Sequence, residues 1–182
     1  MARLPYPNFR AQHTSPKHTT INVLKLLSYS PSTVTHWAHI GNAQFNSLEI
    51  SNRDRELVIL LSTAKFKSNY EWTHHIPVSR KAGVTDLQRA EIEKAGKVRK
   101  YFSEGGFDER AGFSEKDAIL LRFVEAVIEE GVVGEEHWGR MRGVFSDREV
   151  VEVISLQGFY YTFSRLTTVL DVEIDDFARA KL

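Results

Sequence analysis

The sequence predicts an all-α chain, a multi-helix domain with a helical hairpin at its centre. Three observations lead there. Apolar residues recur three and four positions apart in segment after segment. Several of those segments open with Ser or Thr followed three residues later by Asp, Glu or Gln, a pattern that satisfies the free N–H groups of a first helical turn. No stretch reads convincingly as a strand, and there is no internal repeat at a fixed period.

Residues 1–19 are rich in Pro, Asn, Ser, Thr and His and read as an extended arm, and residues 20–182 read as a single helical domain. "NVLKLLSY" (22–29) is a short helix ended by Pro31, and residues 32–45 form a second that carries His36, Trp37 and His39. The third starts at Ser51, with Asp54 completing a box-like opening and Leu57, Leu60, Leu61 and Ala64 as its apolar stripe. "NYEWTHHIPVSRK" (69–81) is the fourth, closed by Gly83 just past its end. Thr85 with Gln88 opens the fifth. "FSEGGFDERAGF" (102–113) then breaks the helical pattern with three glycines and is the candidate flexible or functional loop. Ser114 caps the next helix, whose stripe is Leu120, Leu121, Val124, Val127 and Ile128, and a shorter helix follows around "EEHWGRMRGVF". Ser146 with Glu149 opens the last and longest, about residues 147–170. It is apolar almost all round, which places it at the centre or at a subunit contact.

The totals narrow the function. A chain of 182 residues, 42% apolar and 26% charged, fits one globular domain with a real core. Lys+Arg and Asp+Glu are 24 each, so the chain lacks the basic excess that neutralising nucleic-acid phosphates requires. No apolar run approaches the roughly 20 residues that span a bilayer, and the N-terminus has no signal-like apolar core. The expected location is therefore cytoplasmic. There is no cysteine, so thiol nucleophiles, thiolate metal sites and thiol redox chemistry are all excluded.

Chemistry concentrates in the fourth helix. Trp72, His75, Ile76, Ser79 and Gly83 share one apolar stripe, so His75 is expected to point inward, with Glu71 one turn before it. His74 falls off that stripe. A carboxylate beside an imidazole in a partly dry cleft is an acid/base pair, because the charge raises the histidine pKa while burial lowers it. Glu56 becomes the third member if the third and fourth helices fold back on each other across the short "KFKSN" connection. The rival reading is a core histidine satisfied by its own helix. Pro77 removes a backbone donor and kinks the helix, which serves either reading. His36 and His39, with His74 and His75, give a metal reading, but no dense ligand signature accompanies them, and neither metal nor cofactor is expected.

"LEISNRDRELVILLSTAKFKSNYEWTHHIPVSRKAGVTDLQRAEI" resembles the core of the carboxymuconolactone decarboxylase-like family, within the alkylhydroperoxidase D-like superfamily. The family elements are an R-x-R-E-L helix, Y-E-W-x-x-H and an A-G-[VL]-[TS] turn, here Arg53–Leu57, Tyr70–His75 and Ala82–Thr85. "RLPYP", "NVLKLLSYSPS" and "SDREVVEVISLQGFYYTFSRLTTVLDV" extend the likeness to nearly the whole chain except 97–113. The resemblance implies an all-α subunit that assembles as a homo-oligomer, a trimer or a multiple of one. In the peroxidase branch the working set is a glutamate, a C-x-x-C pair and a histidine. By spacing these fall on Glu56, on Ser68 and Glu71, and on His75, so the acid/base members are kept and both thiols are missing.

The expected activity is that of a cofactor-independent lyase or isomerase, decarboxylase-like, acting on a small carboxylated lactone or oxygenated organic acid. Glu56, Glu71 and His75 would handle the protons. Trp37, His39, Tyr70, Trp72, His74, Tyr160 and Tyr161 are the candidate pocket walls. The alternative is a non-catalytic oligomeric binding or scaffold protein of the same fold. A cavity at the Glu71–His75 face separates the two, because a scaffold would fill that face with side chains.

Overall fold

The computed structural model describes residues 1–9, 20–104 and 107–180. The helices are Asn22–Leu27 (α1), Pro31–Asn46 (α2), Asn52–Lys65 (α3), Asn69–Lys81 (α4), Asp86–Ala95 (α5), Glu115–Glu130 (α6), Glu135–Arg142 (α7), Asp147–Val169 (α8) and Asp176–Arg179 (α9). No strand occurs among the described residues, and no helix among them is long and apolar enough to cross a membrane. Of the expected arm, residues 10–19 lie outside the described residues. Residues 1–9 lie against the far end of the chain, where Arg3 N donates to the Leu170 carbonyl (2.9 Å) and Glu173 N to the Tyr6 hydroxyl (3.1 Å).

Local chemistry sets the helix ends. Thr85 with Gln88, Ser114 with Asp117 and Ser146 with Glu149 close reciprocal capping boxes at α5, α6 and α8. Ser51 accepts from Asp54 N at α3, and Ser68 from Glu71 N at α4. Ser68, with Glu71 three residues on, fits the same opening pattern. Pro31 begins α2 one residue earlier than expected, at a position where its missing N–H costs nothing. Gly83 ends α4 with φ of 83°, a left-handed value that suits glycine.

The centre of the molecule is α3. Every residue from Asp54 to Thr63 is buried, and Leu57 through Leu61 are wholly inaccessible. It packs against α4, α5, α6 and α8. The expected four-residue stripe therefore understates a helix that is buried on all sides. By contrast α8 leaves Val151, Ile154, Tyr161 and Val169 exposed along one side. Arg53 ties α3 to its neighbours, reaching Asp117 of α6 (2.9 Å), Gln88 of α5 (3.0 Å) and the Gly83 carbonyl (2.5 Å). The described parts of the glycine loop are anchored. Phe102 is fully buried against Phe107 and Phe113, and Glu125 accepts from Phe102 N, Ser103 N and Ser103 Oγ, each at 2.9 Å. Gly105 and Gly106 lie outside the described residues.

The helix α5 meets α3 through a close backbone approach at Gly96. A Cβ there would lie 2.8 Å from the Ala64 carbonyl carbon, its oxygen and its Cβ. Gly96→Ala is therefore expected to destabilise the fold by about 1–3 kcal/mol, the usual cost of overpacking, read as a lower melting temperature. An unchanged melting temperature would contradict this packing.

Candidate active site

A cavity of about 410 Å3 lies between α1, α2, α4 and α8, with α9 at one side. Its walls are largely aromatic. Trp37 packs on Phe159 and Phe163 (ring centroids 5.7 and 5.8 Å apart), and Phe45 and Phe177 complete the ring surface. The polar groups come mainly from α4, which presents Tyr70, Glu71, His74 and His75, and from α8, which presents Tyr160.

A chain of hydrogen bonds runs from the core to this cavity. Glu56 on α3 is wholly buried, accepting from Arg55 Nε on Oε1 (3.2 Å) and from His75 Nδ1 on Oε2 (2.8 Å). That second bond fixes a proton on Nδ1, so in the neutral ring Nε2 accepts from the Tyr160 hydroxyl, 2.9 Å away. Arg55 is held in turn by the Phe45 carbonyl and Asn52 Oδ1, both at 3.0 Å. Burial, reinforced by the charges of Glu71 and Glu56, holds the Tyr160 pKa well above the usual tyrosine range. Its hydroxyl stays a proton carrier and not a phenolate. Glu56, and not Glu71, therefore orients His75.

Glu71 is placed differently. Its carboxyl is buried, yet Oε1 has no hydrogen-bond partner. Burial pushes its pKa up from 4.5 to about 7, against the opposing pull of His75 and His74, with Asp175 adding to the rise. The site thus holds one saturated carboxyl and one unsaturated carboxyl that titrates near neutrality.

A second network flanks the cavity. Asp175 Oδ2 accepts from the Tyr70 hydroxyl (2.5 Å) and lies 3.1 Å from His74 Nε2, while its Oδ1 accepts from Asn22 N (3.1 Å). His74 Nδ1 sits 2.8 Å from the Tyr70 carbonyl oxygen. Burial works to lower the His74 pKa, but the bonds to Asp175 and to Tyr70 outweigh it and leave it raised. Burial, helped by Asp175, also raises the Tyr70 pKa. Phe177, two residues beyond Asp175, then stands edge-on to the His74 ring, 5.6 Å between centroids.

The structure thus brings Glu56, Glu71, His75, Trp37, Tyr70, His74 and Tyr160 together. Three candidate wall residues lie elsewhere. Trp72 lines a separate groove with Lys67 and Gly96, on the side of α4 that faces α3 and α5. His39 is two positions, about 200° of helical turn, from Trp37 and is exposed on the outer face of α2, as is His36. That face also separates the proposed histidine metal ligands from His75. Tyr161, one position past Tyr160, is exposed and packs on Phe66 (5.1 Å) and beneath Arg165 (5.3 Å). Among the described residues no group of three or more His, Asp or Glu side chains could hold a metal ion. Arg55, Asp175, Phe45 and Phe177 are additions. Arg55 sits inside the R-x-R-E-L element and was open to notice, whereas Asp175 lies in a short tail with no periodicity to place it.

No protein-family model and no curated protein matches the sequence. Solved structures do. A peroxidase-related protein from Silicibacter sp. TM1040 superposes with a TM-score of 0.68 at 14% identity, covering 86% of this chain and 78% of that one. An alkylhydroperoxidase AhpD-core, peroxidase-related protein from Ralstonia eutropha JMP134 gives 0.66 at 13% identity, over 84% and 76%. The debrominase Bmp8, as a variant in complex with 2,3,4-tribromopyrrole, gives 0.65 at 15% identity, over 90% and 81%.

The chain has the alkylhydroperoxidase D-like fold.

On this alkylhydroperoxidase D-like frame Ser68 serves as the cap of α4 and also meets Thr167 of α8 (3.0 Å), while Glu71 faces the cavity. The carboxyl's raised pKa has a stability signature. A folded-state pKa above the unfolded one contributes stability that is fully present below about 4.5 and lost as pH rises through about 7. Glu71→Gln, which mimics the neutral acid, is therefore expected to match the wild type near the acid end and to be the more stable protein at alkaline pH. The gap should be at most about 3 kcal/mol, measured by urea denaturation across this range. A gap that is independent of pH would mean that Glu71 ionises normally.

Proposed function

We propose that the protein is a cofactor-independent proton-transfer enzyme, an isomerase or lyase, that acts on a small organic molecule held in this cavity. The carrying observation is Glu71: a buried carboxyl with an unpartnered oxygen, titrating near neutrality, on the wall of an open aromatic cavity. Groups of this kind cluster where protons are moved. An unfilled Glu71–His75 face also favours an enzyme over a scaffold.

The roles follow from the hydrogen bonds. Ionised Glu71 is the base for a proton on carbon. When His75 carries the second proton, its Nε2–H donates to the Tyr160 oxygen, which turns the Tyr160 hydroxyl hydrogen toward the cavity. Tyr160 then donates to the oxygen on which negative charge develops, an enolate oxygen. Glu56, held by Arg55, stabilises the imidazolium through Nδ1. The same set would protonate the enolate left by loss of carbon dioxide, which is the lyase version. Thiol-dependent peroxide reduction has no nucleophile in a chain without cysteine. The Bmp8 complex, in which a fold neighbour holds a small halogenated ring, supports a ring-sized ligand here too.

The exposed row Val151, Ile154, Tyr161 and Val169 on one side of α8 supports a homo-oligomer built through that helix. Its subunit count would come from sedimentation.

Deuterium exchange at carbons beside the carbonyl of cyclic ketones, followed by NMR in heavy water, tests the catalytic reading. The wild type is expected to accelerate exchange. Glu71→Gln should lower the rate by about 10²–10⁴-fold, the usual worth of a general base. Tyr160→Phe should lower it about tenfold or more through the lost oxyanion donor. Rates equal in wild type and Glu71→Gln, with both proteins folded by circular dichroism, would remove the proposal.

A further inference from the structure

The charge inventory of the cavity says which substrates it admits. Among the described lining residues there is no lysine and no arginine. The Arg55 guanidinium stacks on the Phe45 ring, 4.6 Å from its centroid, and is engaged by Glu56, Asn52 and the Phe45 carbonyl. His74 is paired with Asp175, and His75 with Glu56. Among the described residues, Arg55 and His75 thus share the Glu56 carboxylate and His74 takes Asp175, so each is already engaged, while Glu71 has no partner on Oε1. A ligand carboxylate would enter an apolar enclosure beside Glu71 and Asp175 with no unpaired cation among the described lining residues to meet it. Burying such an ion is costly, and like charges add to the cost.

The rest of the lining is specific in the other direction. Trp37, Phe45, Phe159 and Phe163 offer ring faces and edges around a space of about 410 Å3, within the usual range for a small-molecule site. The Tyr160 hydroxyl and the Asn42 amide are neutral hydrogen-bonding groups on the same lining. Building on the acid/base reading above, we infer that the ligand is an uncharged, ring-bearing carbonyl compound without a carboxylate, so that the reaction is isomerisation and not decarboxylation. The step balances within the site. The Glu71 carboxylate takes a proton from the carbon beside the carbonyl, the C–H electron pair becomes a carbon–carbon double bond, and the carbonyl π pair moves onto the oxygen. Glu71 then returns the proton to the far carbon of the conjugated system as the electron pair flows back. A double bond has moved, and nothing has been consumed.

Isothermal titration of the wild-type protein with tetralone, naphthoate and naphthylmethylammonium, three ligands of one ring size and three charges, is the test. Tetralone is expected to bind at least about tenfold tighter than naphthoate at about pH 8, the consequence of an unpaired buried charge. Val78→Arg, which places a cation on the cavity wall, should bring naphthoate binding up to or above that of tetralone. Equal or tighter binding of naphthoate or of the ammonium by the wild type would overturn the inference, as would failure of all three to bind. Deuterium exchange on tetralone, and on a tetralone bearing a carboxylate on its aromatic ring, separates this claim from the catalytic one. Tight tetralone binding without exchange upholds the ligand class and removes the proton-transfer reading. Exchange confined to a carboxylated ligand does the reverse.

Discussion

A carboxylate with no exposed surface sits at the centre of this fold, and the helices around it are placed by the need to satisfy it. Glu56 lies on α3, the helix buried on every side. An unpaired ion there would be prohibitive, and removing one partner of a buried pair typically costs about 3–5 kcal/mol. Arg55 from the same helix takes one oxygen and His75 from α4 the other, while Tyr160 from α8 takes the remaining ring nitrogen. Three helices are thereby locked in register. The register also decides where Glu71 goes: one turn before His75, on the cavity side.

Two carboxyls near one histidine thus have opposite environments. Glu56 is saturated and structural in its geometry, fixing the tautomer and orientation of His75. Glu71 is buried with one oxygen unpartnered, so its charged form is penalised by more than His75 and His74 offset, and its titration moves toward neutrality. The tail adds a third carboxyl. Asp175 gathers Tyr70, His74 and the start of α1, and in doing so brings Phe177 to the edge of the cavity.

Much of this could be read from the residues. The capping patterns at Ser51, Thr85 and Ser146 located three helices, and Glu56, Glu71 and His75 stood out by type and helical spacing. What spacing does not contain is the partner across the gap. It put Trp72 with His75, but α4 presents that edge to α3 and α5. It offered Tyr160 and Tyr161 together, although adjacent positions on a helix point about 100° apart and only Tyr160 reaches the ring. His39 failed by the same rule, being on the face of α2 opposite Trp37. The central position of α3 was concealed by its charged residues, since Asp54, Arg55 and Glu56 look like surface until their partners are known. Asp175 had no pattern at all to reveal it.

Glu71 is a cavity carboxyl poised near neutral pH. Infrared difference spectra between the wild type and Glu71→Gln, taken across a pH series, read that group directly through its protonated carbonyl stretch. A protonated-carboxyl band that disappears with a midpoint near 7 is expected. A band already absent above the ordinary glutamate range, with a midpoint near 4.5, would show a solvated surface-like carboxylate and remove Glu71 as a poised base.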